Sequence, residues 1–140
     1  MQEKNLQTVY ERLRRIDVRH GNSFKGVKKF AVFFQDKEVE IKSNAPSEIK
    51  EDYPKTLQTQ AELAKLKAEL LAFKIETWQE QYIGKPALDN DEWQVSFAFQ
   101  EGEKWEFVGV NAYPPTWRLV CELVQKYSGI QIMEREKTDE

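Results

Sequence analysis

The stretch from Trp93 to Trp117, WQVSFAFQEGEKWEFVGVNAYPPTW, constrains the fold more than any other, because it fixes a strand pairing and the place where the next helix begins. Trp93, Val95, Phe97 and Phe99 occupy every second position, so they share one face of a strand while Gln94, Ser96 and Gln100 take the other. On the return strand Trp105 and Phe107 share a face and Glu106 opposes them. The loop decides the register. A three-residue loop, Gln100-Glu101-Gly102, sets Gly102 at a left-handed bulge position and pairs Phe97 with Trp105 and Val95 with Phe107. A two-residue turn at Glu101-Gly102 would put Phe97 opposite Glu106 instead. The longer loop is therefore expected. After Gly109 the chain reaches Pro114-Pro115, which lack backbone donors and hold φ near the value of a helical first turn, so a helix is expected to start there.

The order of a helix, Trp78 and Tyr82, the strand pair Trp93 and Val95, a hairpin, and then Gly109, Asn111, Ala112, Tyr113, Pro114 and Trp117 resembles a loose group of small bacterial proteins of undescribed activity. The resemblance covers roughly the C-terminal half, and Asn-Ala-Tyr-Pro after a strand is its most specific part. Pro115 departs from the group, where a charged or polar residue is usual, and Trp117 comes one place late. The resemblance implies a fold and carries no catalytic or binding role.

A chain of 140 residues is of ordinary single-domain size. Such a chain can bury roughly 68% of its unfolded surface without metals or disulfides. The expectation is one α+β domain over 1–140 with a polar tail at 134–140. Hydrophobic residues make up 40%, enough for a core, and charged residues 32%, enough for a solvated exterior. No apolar run reaches the length of about 20 residues that a membrane helix requires, and residues 1–19 lack the apolar centre of a signal peptide; a cytoplasmic location is expected. The single cysteine, Cys121, sits between Val120 and Leu123 on a helical apolar face and reads as a small buried hydrophobe.

The formal charge of −3 conceals an asymmetry, because residues 1–30 carry Lys4, Arg12, Arg14, Arg15, Arg19, Lys25, Lys28 and Lys29 against Glu3, Glu11 and Asp17. A nucleic-acid surface would require aromatic residues interleaved among these cations, and only Tyr10 and Phe24 are near. A solvated edge is favoured.

Leu6, Val9, Tyr10 and Leu13 recur at helical spacing, predicting a helix over residues 3–14; Ile16 and Val18 then alternate as a strand, and His20-Gly21-Asn22 reads as a turn. Val27 to Lys42 reads as a second hairpin with its loop at Asp36-Lys37, opposing Phe34 to Val39 and Val32 to Ile41. Phe33 faces away from Phe34, which calls for apolar cover on the second face or a bulge. Residues 43–56, with two prolines, form a surface loop.

Leu57 to Tyr82 reads as one long helix with two apolar stripes. Leu57, Ala61, Ala64, Ala68, Leu71, Ile75, Trp78 and Tyr82 form the first, and the alanines suit close packing on a sheet. Leu63, Leu66, Leu70 and Phe73 form the second, which must meet another helix of this chain or another chain; an internal contact is favoured, and the four residues are the candidate interaction surface. Ile83-Gly84-Lys85-Pro86 ends that helix. Asp89, Asp91 and Glu92 lack the spacing of a calcium loop. Trp117, Val120, Val124 and Tyr127 predict a last helix stopped at Ser128-Gly129, and residues 130–133 a short edge strand.

Catalytic groups are scarce. His20 is the only histidine, the glycines give no phosphate-loop spacing, and no nucleophile elbow surrounds Ser23; no catalytic residue, metal or cofactor is expected. The best small-molecule candidate is a polar cluster of Asn111, Tyr113 and Glu106. The competing expectation is that Asn111 satisfies backbone groups in its turn and Tyr113 packs on Trp117 or Trp78. The predicted fold is an antiparallel sheet of two hairpins plus an N-terminal strand, packed by one long and one shorter helix. The expected role is non-enzymatic binding of another protein, of immunity, inhibitor or adaptor type, by a monomer or homodimer. The alternatives are ligand binding or catalysis at the Asn111-Tyr113 turn, and nucleic-acid binding by the basic N-terminal third.

Overall fold

A computed structural model of the chain describes residues 9–22, 26–35, 38–43 and 59–132. Six strands form one sheet: β1 (Leu13–Asn22), β2 (Gly26–Phe33), β3 (Glu38–Ser43), β4 (Gln81–Ile83), β5 (Asp91–Phe99) and β6 (Lys104–Val110), in the order β3-β2-β1-β5-β6-β4. Two α-helices lie among the described residues, α1 (Gln60–Leu71) and α2 (Trp117–Ser128). The architecture is α+β, but the sheet is mixed, because β4 runs parallel to β6 while every other neighbour pair is antiparallel.

Strands β5 and β6 adopt the register that alternation and Gly102 together require, with Val95 opposite Phe107 and Phe97 opposite Trp105. Gly102 has φ +91°, the left-handed region that a side chain resists. β1 is longer than its two apolar residues suggest. It begins at Leu13, carries an irregularity between Leu13 and Arg15, and continues through His20, Gly21 and Asn22, which pair with β2 and β5 rather than turning. The helix expected over 3–14 therefore stops before Leu13; Val9 and Tyr10 are helical and the rest of its first part lies outside the described residues. The pairing of β2 with β3 is shifted by two residues from the expected one, Val32 meeting Val39 and Phe30 meeting Ile41. Phe33 falls on the sheet's second face, where the Arg15 guanidinium lies 4.4 Å from its ring centre. The loop expected over 43–56, apart from Ser43 at the end of β3, and the polar tail lie outside the described residues.

The segment read as one long helix is three elements. Thr59 and Glu62 close a capping box at the start of α1: the Thr59 hydroxyl accepts from Glu62 N at 3.1 Å and Glu62 Oε1 accepts from Thr59 N at 3.1 Å. The helix ends after Leu71, Lys74 turns left-handed at φ 52°, and a 3₁₀ turn over Ile75–Thr77 leads to β4. Aromatic packing directs this exit. The Trp78 indole donates to Phe73 O at 3.1 Å and to Thr116 Oγ1 at 2.9 Å, while its ring meets Trp93 and Phe107 edge-on. Trp78 and Tyr82 keep helical spacing in the sequence, yet both serve to surround Trp93.

The stripes on α1 are reversed. Leu63, Leu66, Leu70 and the following Phe73 are 5%, 0%, 0% and 1% exposed and belong to the chain's own core, whereas Ala61, Ala64 and Ala68 are exposed. The longer side chains reach the sheet because they bury more apolar area than alanines. On α2 the expected stripe is buried, Gly129 closes the helix at φ 76°, and Tyr127 donates its hydroxyl to Glu69 Oε1 of α1 at 2.8 Å. Residues 130–132 form no strand; Ile130 and Ile132 are instead buried. No helix of the described residues is long and apolar enough to cross a membrane.

Candidate functional site

Among the described residues, both α-helices lie on one face of the sheet. Ile16, Val18, Phe30, Val32, Val95, Phe97 and Phe107 point to the core shared with α1 and α2. Their neighbours point to the other face, since successive strand residues alternate. Among the described residues no helix packs there.

Two rows of side chains cross this open face at right angles to the strands. In the first, Lys42 of β3 lies opposite Lys29 of β2, Lys29 opposite Arg19 of β1, and Arg19 opposite Gln94 of β5. In the second, two residues away along each strand, Glu40 lies opposite Ala31, Ala31 opposite Asp17, Asp17 opposite Ser96, and Ser96 opposite Glu106. A groove of about 460 Å³ lies on this face, with Asp17, Arg19, Lys29, Glu40 and Lys42 among its walls.

The charges on this face are unevenly neutralised. Arg15 makes a forked pair with Asp17, its Nε and Nη2 both donating to Oδ1 or Oδ2 at 2.8–3.0 Å, and this hydrogen bonding raises the Arg15 pKa further. Lys104 pairs with Glu106 at 2.9 Å. Among the described residues Arg19, Lys29 and Lys42 form no ion pair, although they stand opposite one another on adjacent strands. Like charges in directly opposed positions destabilise a sheet, here by some fraction of the roughly 0.2–1 kcal/mol per pair available to unscreened neighbours.

The three residues expected to form a ligand cluster are not together. Glu106 lies on the open face beside Lys104, whereas Tyr113 stacks on Trp93 and Trp117 on the helical side. Asn111 is committed to its turn. It sits at φ 56°, accepts from Asp91 N at 2.8 Å through Oδ1, and donates through Nδ2 to Lys85 O at 2.8 Å and Asn90 Oδ1 at 2.7 Å. The Tyr113 hydroxyl is buried without a hydrogen bond of ordinary geometry. Burial raises its pKa, and the neighbouring Asp91 carboxylate raises it further. Asp91 also accepts a hydrogen bond from Asn22 Nδ2, and His20 Nε2 lies 3.9 Å from its Oδ1. Polar groups around this turn thus tie β1, β5 and β6 together.

Cys121 is partly buried, and burial pushes its thiol up to about 12, far from the range of a nucleophilic thiolate. Among the described residues no group of three His, Cys, Asp or Glu side chains is placed to hold a metal ion. In the sequence Arg19 and Lys29 stand only as part of a basic segment, and Lys42 lies outside it. The signal of the cationic row is parity: Asp17 and Arg19, Lys29 and Ala31, and Glu40 and Lys42 all fall out of phase with the core residues of their strands. No family model, curated protein or solved structure matches this chain.

Proposed function

We propose that this chain is a non-enzymatic protein-binding module of immunity, inhibitor or adaptor type, and that its binding surface is the open face of the sheet. The carrying observation is the row Lys42, Lys29 and Arg19, three adjacent cations that, among the described residues, have no ion-pair partners and line a groove on a face without helical cover. Their mutual repulsion is relieved when carboxylates of a partner approach, so part of the binding free energy comes from removing an unfavourable term. Nucleic acid fits this face less well. A polyphosphate would have to pass Glu40 and the ion-paired Asp17 and Glu106 in the neighbouring row, whereas a protein can offer both signs of charge in register.

The test is affinity capture from a lysate of the source cells with the wild-type chain and with R19E/K29E/K42E, followed by mass spectrometry of proteins and bound small molecules. A protein retained by the wild type and lost by the triple variant is the expected result. Capture of nucleic acid or a small molecule alone, or protein capture unaffected by the substitutions, would overturn the reading.

A further inference from the structure

We infer that the protein seated on this face is a second copy of the same chain, placed face to face about a two-fold axis that runs across the strands between the cationic and acidic rows. This inference rests on the protein-binding reading and names its partner. The two rows are offset by two residues on every strand that contributes to both. A two-fold rotation about a line midway between them therefore lays the cationic row of one copy on the acidic row of the other.

Strand by strand the pairs are complementary. Lys42 meets the second copy's Glu40, and Arg19 meets the second copy's Asp17, a carboxylate that Arg15 of its own chain also holds and that accepts a further donor through its remaining lone pairs. Between them Lys29 meets the second copy's Ala31, a small residue whose neighbours across the sheet are Glu40 and Asp17, so its ammonium enters between two carboxylates. On β5 Gln94 meets the second copy's Ser96, a long amide against a small hydroxyl. Symmetry repeats each pair, as any isologous interface requires. Long side chains thus face short ones or opposite charges along four strands. The match ends at β6, where the apolar Val108 meets Glu106.

Stacked sheets lie about 10 Å apart, a gap that extended Lys, Arg and Glu side chains span. Charges rather than apolar groups dominate the contact, so association is weak and sensitive to salt.

Sedimentation equilibrium of the full chain over a range of concentrations tests this. The expected wild-type mass rises from 16.5 kDa towards twice that value, and association weakens at least tenfold between about 50 and about 500 mM salt. R19D places two carboxylates against each other and D17R two guanidinium groups, so each variant alone is expected to be monomeric, with circular dichroism confirming that it is folded. Mixing R19D with D17R restores opposite charges on both sides of the axis, and a mixed dimer should form. The double variant D17R/R19D reverses both charges and should also dimerise. A wild type that stays monomeric at every concentration overturns the inference, as does a dimer indifferent to R19D and D17R, or variants that fail to pair when mixed. If the chain is monomeric but captures a different protein through Arg19, Lys29 and Lys42, the second copy is the wrong partner while the protein-binding reading stands.

Discussion

Gly109 lies directly under the indole of Trp93, so close that a Cβ built on it would come within 2.2 Å of Nε1 and 2.8 Å of Ala112 O. That indole donates to Ala112 O at 2.7 Å and is surrounded by Trp78, Tyr82, Tyr113 and Trp117 at ring separations of 5.0–6.4 Å. Gly109, Asn111, Ala112 and Tyr113 therefore act as one device: the glycine makes room, the asparagine turns the chain, the alanine carbonyl accepts, and the tyrosine stacks. Gly109→Ala should destabilise the fold by about 2–3 kcal/mol, the upper part of the range for overpacking a filled core. Urea unfolding followed by tryptophan fluorescence measures it; an unchanged midpoint would mean that the indole moves aside freely.

At Gly102 the constraint is the backbone alone, since nothing lies within 4 Å of a Cβ placed there although φ is +91°. Gly102→Val is expected to cost about 1–2 kcal/mol through positive-φ strain. Gly102→Asn should cost less, because asparagine tolerates left-handed conformations better. Equal denaturation midpoints for the glycine and valine proteins would refute the left-handed turn.

The register of β5 against β6 was readable because two local signals agree: the alternation of Trp93, Val95, Phe97 and Phe99, and a glycine at the bulge position. The end of α1 was not. Ile75, Trp78 and Tyr82 keep helical spacing, but Lys74 turns left-handed and Trp78 bonds to Phe73 O and Thr116, contacts set by residues far along the chain. β4 is three residues long, too short for any period, and its parallel partner Val108–Val110 is chosen by tertiary packing. The reversal of the α1 stripes has a similar origin. Alanines permit close approach, but leucines bury more area, and burial decided the orientation. The open face depends on His20, Gly21 and Asn22 continuing β1 rather than turning, since that pairing aligns Arg19 with Lys29 and Gln94.

Three tyrosines make stability depend on alkaline pH. Burial raises the pKa of Tyr10, Tyr113 and Tyr127, and Glu76, Asp91 and Glu69 respectively add to the effect. In the unfolded chain a tyrosine ionises near pH 10. Above that pH the unfolded state releases protons that the folded state retains, so unfolding becomes more favourable as pH rises, whereas below it these groups give no pH dependence. Stability should therefore be flat with respect to these groups up to about pH 10 and fall beyond it. Absorbance at about 295 nm, where phenolate absorbs, should show a fraction of the five tyrosines titrating only as the fold is lost. Tyr10→Phe should reduce the alkaline slope; titration of all five at about pH 10 in folded protein would contradict the burial.

Leu66 and Ala64 provide the sharpest comparison on α1, because they lie two residues apart on opposite sides of the helix. Leu66 is fully buried against the sheet, and Ala64 is exposed. Leu66→Ala removes buried methyl groups and leaves a cavity, so it should cost about 2–5 kcal/mol. Leu66→Asp would bury a carboxylate without a partner and is expected to leave the chain unfolded by circular dichroism. Ala64→Lys adds a solvated side chain to a strong helix position, and should change stability by no more than about 0.5 kcal/mol. If the alanine stripe faced the sheet, the order would invert: Ala64→Lys would be severe and Leu66→Asp tolerated. Thermal unfolding of the two charged variants side by side separates these outcomes, because a core position and a solvent position cannot both accept a charge at the same cost.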